Sequence, residues 1–220
     1  MVDKKSFPKQ HLNAKWGAHD EFVLSKQLTD MATMPQPFLS VLLTLSSHEP
    51  FEVPLKTPFN GTSEADKFRN AIYYADNCLG NYFAQAQQQS WFKKTLFIVV
   101  ADHGHRLPAD CDMSLPISKK ITFLLYGGAL KNSYKGKTFN KLVNQHDLPA
   151  TLLTQLGISA KDFYWSTDAF NNDRKQFAYY ANEQALGWIT PEQNLLYSLT
   201  SKSIINNENR NSCYENIFEN

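Results

Sequence analysis

From Phe38 to Leu45 the chain is apolar at nearly every position, directly after Pro35 and Pro37. Such near-continuous hydrophobicity predicts a strand covered on both faces, central in a sheet. After a Pro-rich loop, Ser63 stands where a helix N-cap belongs, and Phe68, Ile72, Ala75, Leu79, Tyr82 and Ala86 recur at alternating steps of four and three. That spacing predicts an amphipathic helix of about six turns, with Gln87, Gln88 and Gln89 as its polar end. A second buried strand is expected over Thr95 to Ala101, and strand, helix, strand in this order implies a right-handed parallel crossover. Ile121 to Tyr126 reads as a third strand before Gly127 and Gly128, and Asp147 as the cap of a short helix running through Gln155 and stopping at Gly157. Beyond Phe163 the texture changes to Phe177–Ala181, Leu186–Thr190 and Leu195–Leu199, short strands separated by turn residues, with Pro191 in one connection. The expected architecture is α/β: a mixed, mostly parallel sheet flanked by helices over residues 1–160, with a small antiparallel sheet packed on it over 161–220. No internal repeat is visible.

Composition narrows the class. With 42% hydrophobic and 20% charged residues the chain can bury a substantial core, which excludes disordered and fibrous classes. The formal net charge is +1 and no basic run interleaves with aromatics, so nucleic acid is not an expected partner. Cys78, Cys111 and Cys213 are odd in number, widely spaced and without a CxxC, so neither a disulfide framework nor a zinc knuckle is implied. The apolar runs fall far short of the ~20 residues that span a bilayer, and Met1 to Gln10 lack the apolar region of a signal peptide. The chain therefore reads as soluble and without a targeting signal.

Candidate chemistry gathers where strands end. Asp102 and His103 terminate a buried run, in Ala101-Asp102-His103-Gly104-His105. Neighbours within a regular strand point to opposite faces, so a carboxylate and an imidazole this close can serve one site only where the chain leaves the strand, a turn that Gly104 eases. Such a pair suits a divalent ion, and open α/β sheets place ligands beyond the carboxyl ends of their strands. A capped turn carrying a surface histidine is the alternative. His48 follows the other expected strand, and if the two strands are parallel it opens onto the same edge as Asp102 and His103. His105 and Arg106 either reach an anionic group or form a solvent-exposed polar loop.

Four segments, in order, resemble lipoteichoic acid synthases and related sulfatase-like phosphoglycerol transferases of the alkaline-phosphatase superfamily. They are Trp16-Gly17-Ala18-His19-Asp20-Glu21-Phe22, Leu43-Thr44-Leu45-Ser46-Ser47-His48-Glu49-Pro50-Phe51, Phe97 to Gly104, and Gln145-His146-Asp147-Leu148-Pro149-Ala150-Thr151-Leu152-Leu153. The resemblance implies the C-terminal part of an alkaline-phosphatase-like catalytic domain. It implies Asp102 and His103 as metal ligands, for manganese, zinc or magnesium, and His48 as a contact to the substrate headgroup. Trp16, His19 and Asp20 would line the entrance for an anionic phosphate or sulfate ester, lipid-linked esters included. At His146-Asp147 the family usually has a small apolar residue and Asp, so helix capping by Asp147 is favoured, with His146 as an alternative further metal ligand. The family's nucleophile lies well upstream of the first matching segment, and the ~15 residues before Trp16 leave no room for the ~30-residue βαβ unit that would carry it. Thr44, Ser46 and Ser47 have no nucleophilic role in the family. The resemblance thus implies a metal-dependent phosphoryl or sulfuryl ester transferase or hydrolase whose N-terminal part is missing, inactive as this fragment. It also implies an extracytoplasmic, membrane-anchored parent and self-association through exposed sheet surface. Sulfate-ester hydrolysis is the alternative within the fold, and a non-catalytic binding module the alternative outside it.

Overall fold

The computed structural model describes residues 1–12 and 15–206, so Cys213 lies outside the described residues. Two compact units are present: Met1–Val99 with Phe123–Lys135, and Val100–Thr122 with Gly136–Asn220. This division differs from a boundary near residue 160, because the C-terminal sheet shares its unit with the segment that follows Val99.

The first unit is built on two packed helices, α1 (Asp20–Met31) and α2 (Glu64–Ala86). Ser63 caps α2 as its sequence position predicts, its hydroxyl accepting the Asp66 N–H at 3.1 Å. The buried stripe of α2, however, is Ala71, Tyr74, Cys78, Tyr82 and Ala86, while Ile72 is exposed. Counting back from Ala86 in steps of four selects Tyr82, Cys78 and Tyr74, so the helix is rotated toward its tyrosines from the stripe that contains Ile72. Leu24, Leu28 and Met31 of α1 meet this stripe with Trp91, and Phe38, Leu42 and Phe97 pack around them. Fully burying such a side chain contributes ~1.5–3 kcal/mol, which makes this cluster the main stabilising element of the unit.

Strand β1 (Phe97–Val100) pairs with β2 (Phe123–Tyr126). Hydrogen bonds from Ala101 N–H to the Thr122 carbonyl and from Ala129 N–H to the Thr95 carbonyl fix the pair as antiparallel. The segment Phe38–Leu45 is not part of a ladder. Its side chains alternate, with Phe38 and Leu42 against the core and Leu39, Val41 and Leu43 outward, but it has no paired strand among the described residues. The parallel crossover from this segment to β1 is therefore not seen.

The second unit carries α3 (Leu148–Gln155) and a meander of four antiparallel strands, β3 (Ala178–Ala181), β4 (Ala185–Ile189), β5 (Asn194–Ser198) and β6 (Ser203–Asn206). The first three match the alternation in the sequence. Tyr180 lies opposite Gly187, and a Cβ at Gly187 would fall 2.0 Å from the Tyr180 ring, so the glycine lets the ring cross the strand. The Tyr180 hydroxyl then donates to the Ser114 carbonyl at 2.8 Å, tying the sheet to the segment after Val100. No helix among the described residues is long and apolar enough to cross a membrane.

Candidate functional site

Asp102 and His103 leave β1 on a tight turn in the second unit. The Asp102 carboxylate accepts the His103 N–H at 2.9 Å, and the His103 ring places Nδ1 2.7 Å from the Gly104 carbonyl. A carbonyl can only accept, so Nδ1 carries the proton and the Nε2 lone pair is directed elsewhere. Nε2 lies 3.6 Å from Asp102 Oδ2, and both side chains are about seven-tenths exposed. Ligand atoms ~2.1 Å from a tetrahedral ion are ~3.4 Å apart, close to the 3.6 Å separation of these two donor atoms. They do not complete a site, because no group of three or more His, Cys, Asp or Glu able to hold a metal occurs among the described residues.

The turn is held by two features. A Cβ at Gly104 would lie 1.8 Å from the Ser118 carbonyl oxygen and 2.8 Å from its carbon, so only glycine lets the two backbones approach this closely. Gln145, at the turn preceding α3, donates its amide to the carbonyls of both Ala101 (2.7 Å) and Asp102 (3.1 Å). Sequence reasoning did not single out Gln145. Its neighbour His146 is exposed and joins no three-donor group with Asp102 and His103.

Asp147 does not act as a simple N-cap. It stands at the N-cap position of α3 but makes no side-chain capping bond to that helix; its carboxylate instead accepts the Asn144 N–H at 2.8 Å in the capping box of the preceding 3-10 turn, Gln145–Asp147, which Asn144 caps. The Asp147 carboxylate is buried and also accepts the Thr167 N–H at 3.0 Å and the Arg174 guanidinium at 2.9 Å. It is a node linking the α3 start to the chain before β3, and through Gln145 this node bears on the Asp102 turn.

His105 and Arg106 are engaged locally. His105 Nδ1 accepts the Leu107 N–H at 3.0 Å, and Arg106 pairs with Asp110 at 2.6 Å.

Trp16, His19, Asp20 and His48 lie in the first unit, where the structure brings them into one assembly. Asp20 is 1% exposed, and its carboxylate accepts the N–H groups of Leu45 (2.7 Å) and Ser46 (3.0 Å) while its own N–H donates to Ser46 Oγ. It thereby holds the turn after Leu45 from a buried position. Ser46 is equally buried, its hydroxyl used in this contact. His48 N–H donates to the Leu45 carbonyl, and its ring sits 4.5 Å from the Trp16 indole, whose Nε1 donates to the Glu49 carbonyl at 2.8 Å. His48 Nδ1 faces the Glu49 carbonyl at 3.0 Å and the Glu49 carboxylate at 3.3 Å. His19 is buried beside Tyr74, and burial holds its imidazole below the ordinary value against the pull of Glu21, Asp20 and Glu52. Trp16 and His48 are thus the solvent-facing members, with Asp20 and His19 beneath them.

A family model described as Sulfatase matches residues 2–158. Among curated proteins the chain is 22% identical over 189 residues to a lipoteichoic acid synthase-like protein, YvgJ, of Bacillus subtilis, covering 77% of this chain and 30% of that protein. It is 22% identical over 180 residues to the lipoteichoic acid synthase of Staphylococcus aureus, covering 76% and 28%. Among solved structures it superposes on a protein in the alkaline phosphatase superfamily from Vibrio parahaemolyticus with a TM-score of 0.73 and 24% identity, covering 93% of this chain and 53% of that one. The lipoteichoic acid synthase LtaP from Listeria monocytogenes gives 0.65 and 17%, covering 91% and 56%. The fold is therefore of the alkaline-phosphatase type, and the chain spans less than a third of the length of the curated relatives it matches.

Proposed function

Because the chain belongs to the Sulfatase family, we propose that it contributes Asp102 and His103 to the metal site of a phosphoryl or sulfuryl ester transferase or hydrolase, most closely a phosphoglycerol transferase. The observation that carries this reading is the Asp102–His103 pair, with Nδ1 of His103 spent on the Gly104 carbonyl and Nε2 3.6 Å from Asp102 Oδ2. A divalent ion such as manganese, zinc or magnesium, when bound, neutralises charge on a transferring group and lowers the pKa of a nucleophile. Gly104 and Gln145 hold the two donors in place. In the first unit His48, braced by Trp16 and by the turn that Asp20 fixes, presents an imidazole to the headgroup of an anionic ester. With Nδ1 turned to Glu49, Nε2 is the ring nitrogen left to face an ester oxygen. Relatives named as lipoteichoic acid synthases support the phosphoglycerol-transferase reading, and with it the expectation of a lipid-linked substrate and an extracytoplasmic, membrane-anchored parent, whereas the family description Sulfatase keeps sulfate-ester hydrolysis as the second reading.

The test is turnover of a glycerophospholipid, bis-p-nitrophenyl phosphate and p-nitrophenyl sulfate with manganese or zinc. It compares the protein supplemented with the rest of the fold against residues 1–220 alone. The supplemented protein is expected to cleave the phosphodiesters and to lose this activity in His103→Ala. Residues 1–220 alone are expected to be silent, since two donors hold an ion loosely and residues acting as one catalytic unit lose nearly all rate enhancement when a member is absent. Turnover of the sulfate ester alone would favour the second reading, and activity indifferent to His103→Ala would overturn both.

A further inference from the structure

His48 is the hinge of two consecutive turns. Its N–H donates to the Leu45 carbonyl at 3.0 Å, and its own carbonyl accepts the Phe51 N–H at 2.9 Å. The first turn is gripped from the core by the buried Asp20 carboxylate, which accepts the N–H groups of Leu45 and Ser46. The second ends on Phe51, which is 4% exposed and meets the ring of Phe68, on α2, edge-on at 5.4 Å. Phe51 holds this place at a φ of 61°, in the left-handed region that a bulky side chain normally avoids. Asp110 and Lys202 also have positive φ, but both are exposed polar residues on turns. A buried phenylalanine keeps such a backbone only when its surroundings over-determine it, and strain of this kind gathers where a fold must aim a side chain.

We propose that Phe51 is a positioning residue for His48: its ring, anchored against α2, fixes the one backbone conformation that sets the His48 imidazole beside Trp16. Rotation about the Phe51 N–Cα bond to an ordinary φ would carry residues 48–50 away from their present place relative to the anchored ring. The Glu49 carbonyl would then leave the Trp16 Nε1, which donates to it at 2.8 Å, and the His48 ring would leave the indole 4.5 Å away. Asp20 and Phe51 thus clamp the His48 turns at either end, and neither need touch an ester to do so. The placement stands on contacts internal to the first unit. Only its kinetic consequence rests on the reading of His48 as a headgroup contact.

The ring-current displacement of the His48 imidazole protons by the Trp16 indole, read by NMR of the full 220-residue chain, reports the placement, and Trp16→Leu supplies its zero. Phe51→Gly is the sharpest variant, because glycine adopts a φ of 61° without steric cost and so removes only the anchor. It is expected to lose the displacement. Phe51→Leu, with a smaller anchor, should keep part of it, and decides alone should Phe51→Gly not fold. Leu28→Ala, a truncation in the core of the same unit, should lower the melting temperature and leave the displacement intact. In the protein supplemented with the rest of the fold, Phe51→Gly and His48→Ala should each raise KM for a glycerophospholipid ~3–10-fold, the worth of one hydrogen bond, with kcat reduced less. A full displacement in either Phe51 variant, or a displacement lost equally in Leu28→Ala, would overturn the proposal. A KM unmoved in His48→Ala, with the displacement behaving as expected, would instead overturn the headgroup reading and support the positioning role.

Discussion

Asp147→Ala is expected to destabilise the second unit by ~3–5 kcal/mol, because it leaves the Arg174 guanidinium buried without its counter-charge. Both side chains are nearly inaccessible, at 3% and 2% of their exposed area, and two further Arg174 nitrogens already lack partners among the described residues. The same carboxylate accepts the N–H groups of Asn144 and Thr167, so its loss strands two main-chain donors as well. Urea unfolding followed by tryptophan fluorescence measures the effect. Combining Asp147→Leu with Arg174→Met should recover much of the loss, since replacing both members of a buried pair by apolar groups is often near neutral. A loss under ~1 kcal/mol for the single variant would show that the pair is compensated in a way the hydrogen bonds do not reveal.

Gly104→Ala is the second large effect, and it acts on the turn itself. The new Cβ would meet main-chain atoms of Ser118 at 1.8 and 2.8 Å, which no side-chain rotation relieves. The backbone must move, at a cost of ~1–3 kcal/mol typical of overpacking. The shift acts directly on the carbonyl that fixes the His103 tautomer. In nitrogen-detected NMR of the imidazole, Gly104→Ala is expected to redistribute His103 between its two tautomers while His48 keeps its wild-type signals. An unchanged His103 would mean that the tautomer is set by something other than Gly104.

Much of this was readable before any coordinates. Ser63 caps α2 where its position says it should, and β3, β4 and β5 follow the alternation of Phe177–Ala181, Leu186–Thr190 and Leu195–Leu199, because local chemistry alone decides a cap or a half-buried strand. Helix α1 has only a weak signature in the sequence: Leu24, Leu28 and Met31 carry helical spacing, but its apolar residues are few and its first turn is acidic. The run Phe38–Leu45 is the instructive case. Continuous apolarity reports the burial a strand is suited to, not the neighbours it has, so an extended segment with no paired strand among the described residues looks in sequence like one inside a sheet. The structural roles of Asp20 and Gln145 are legible only in space: a buried carboxylate gripping residues 25 and 26 positions away, and an amide gripping carbonyls 43 and 44 positions away, leave no local signature. Asp102 and His103 stand out in the sequence because a strand end, a glycine and two donor side chains coincide.

The central claim, that Asp102 and His103 are prepared as neighbouring ligands of one divalent ion, is tested most directly by titrating manganese into the 15N-labelled chain and following paramagnetic broadening. Weak binding is expected, with broadening centred on residues 102–104 and the His103 ring, and its loss in Asp102→Ala while the remaining spectrum is preserved. Broadening centred elsewhere, or undiminished at His103 in Asp102→Ala, would contradict it.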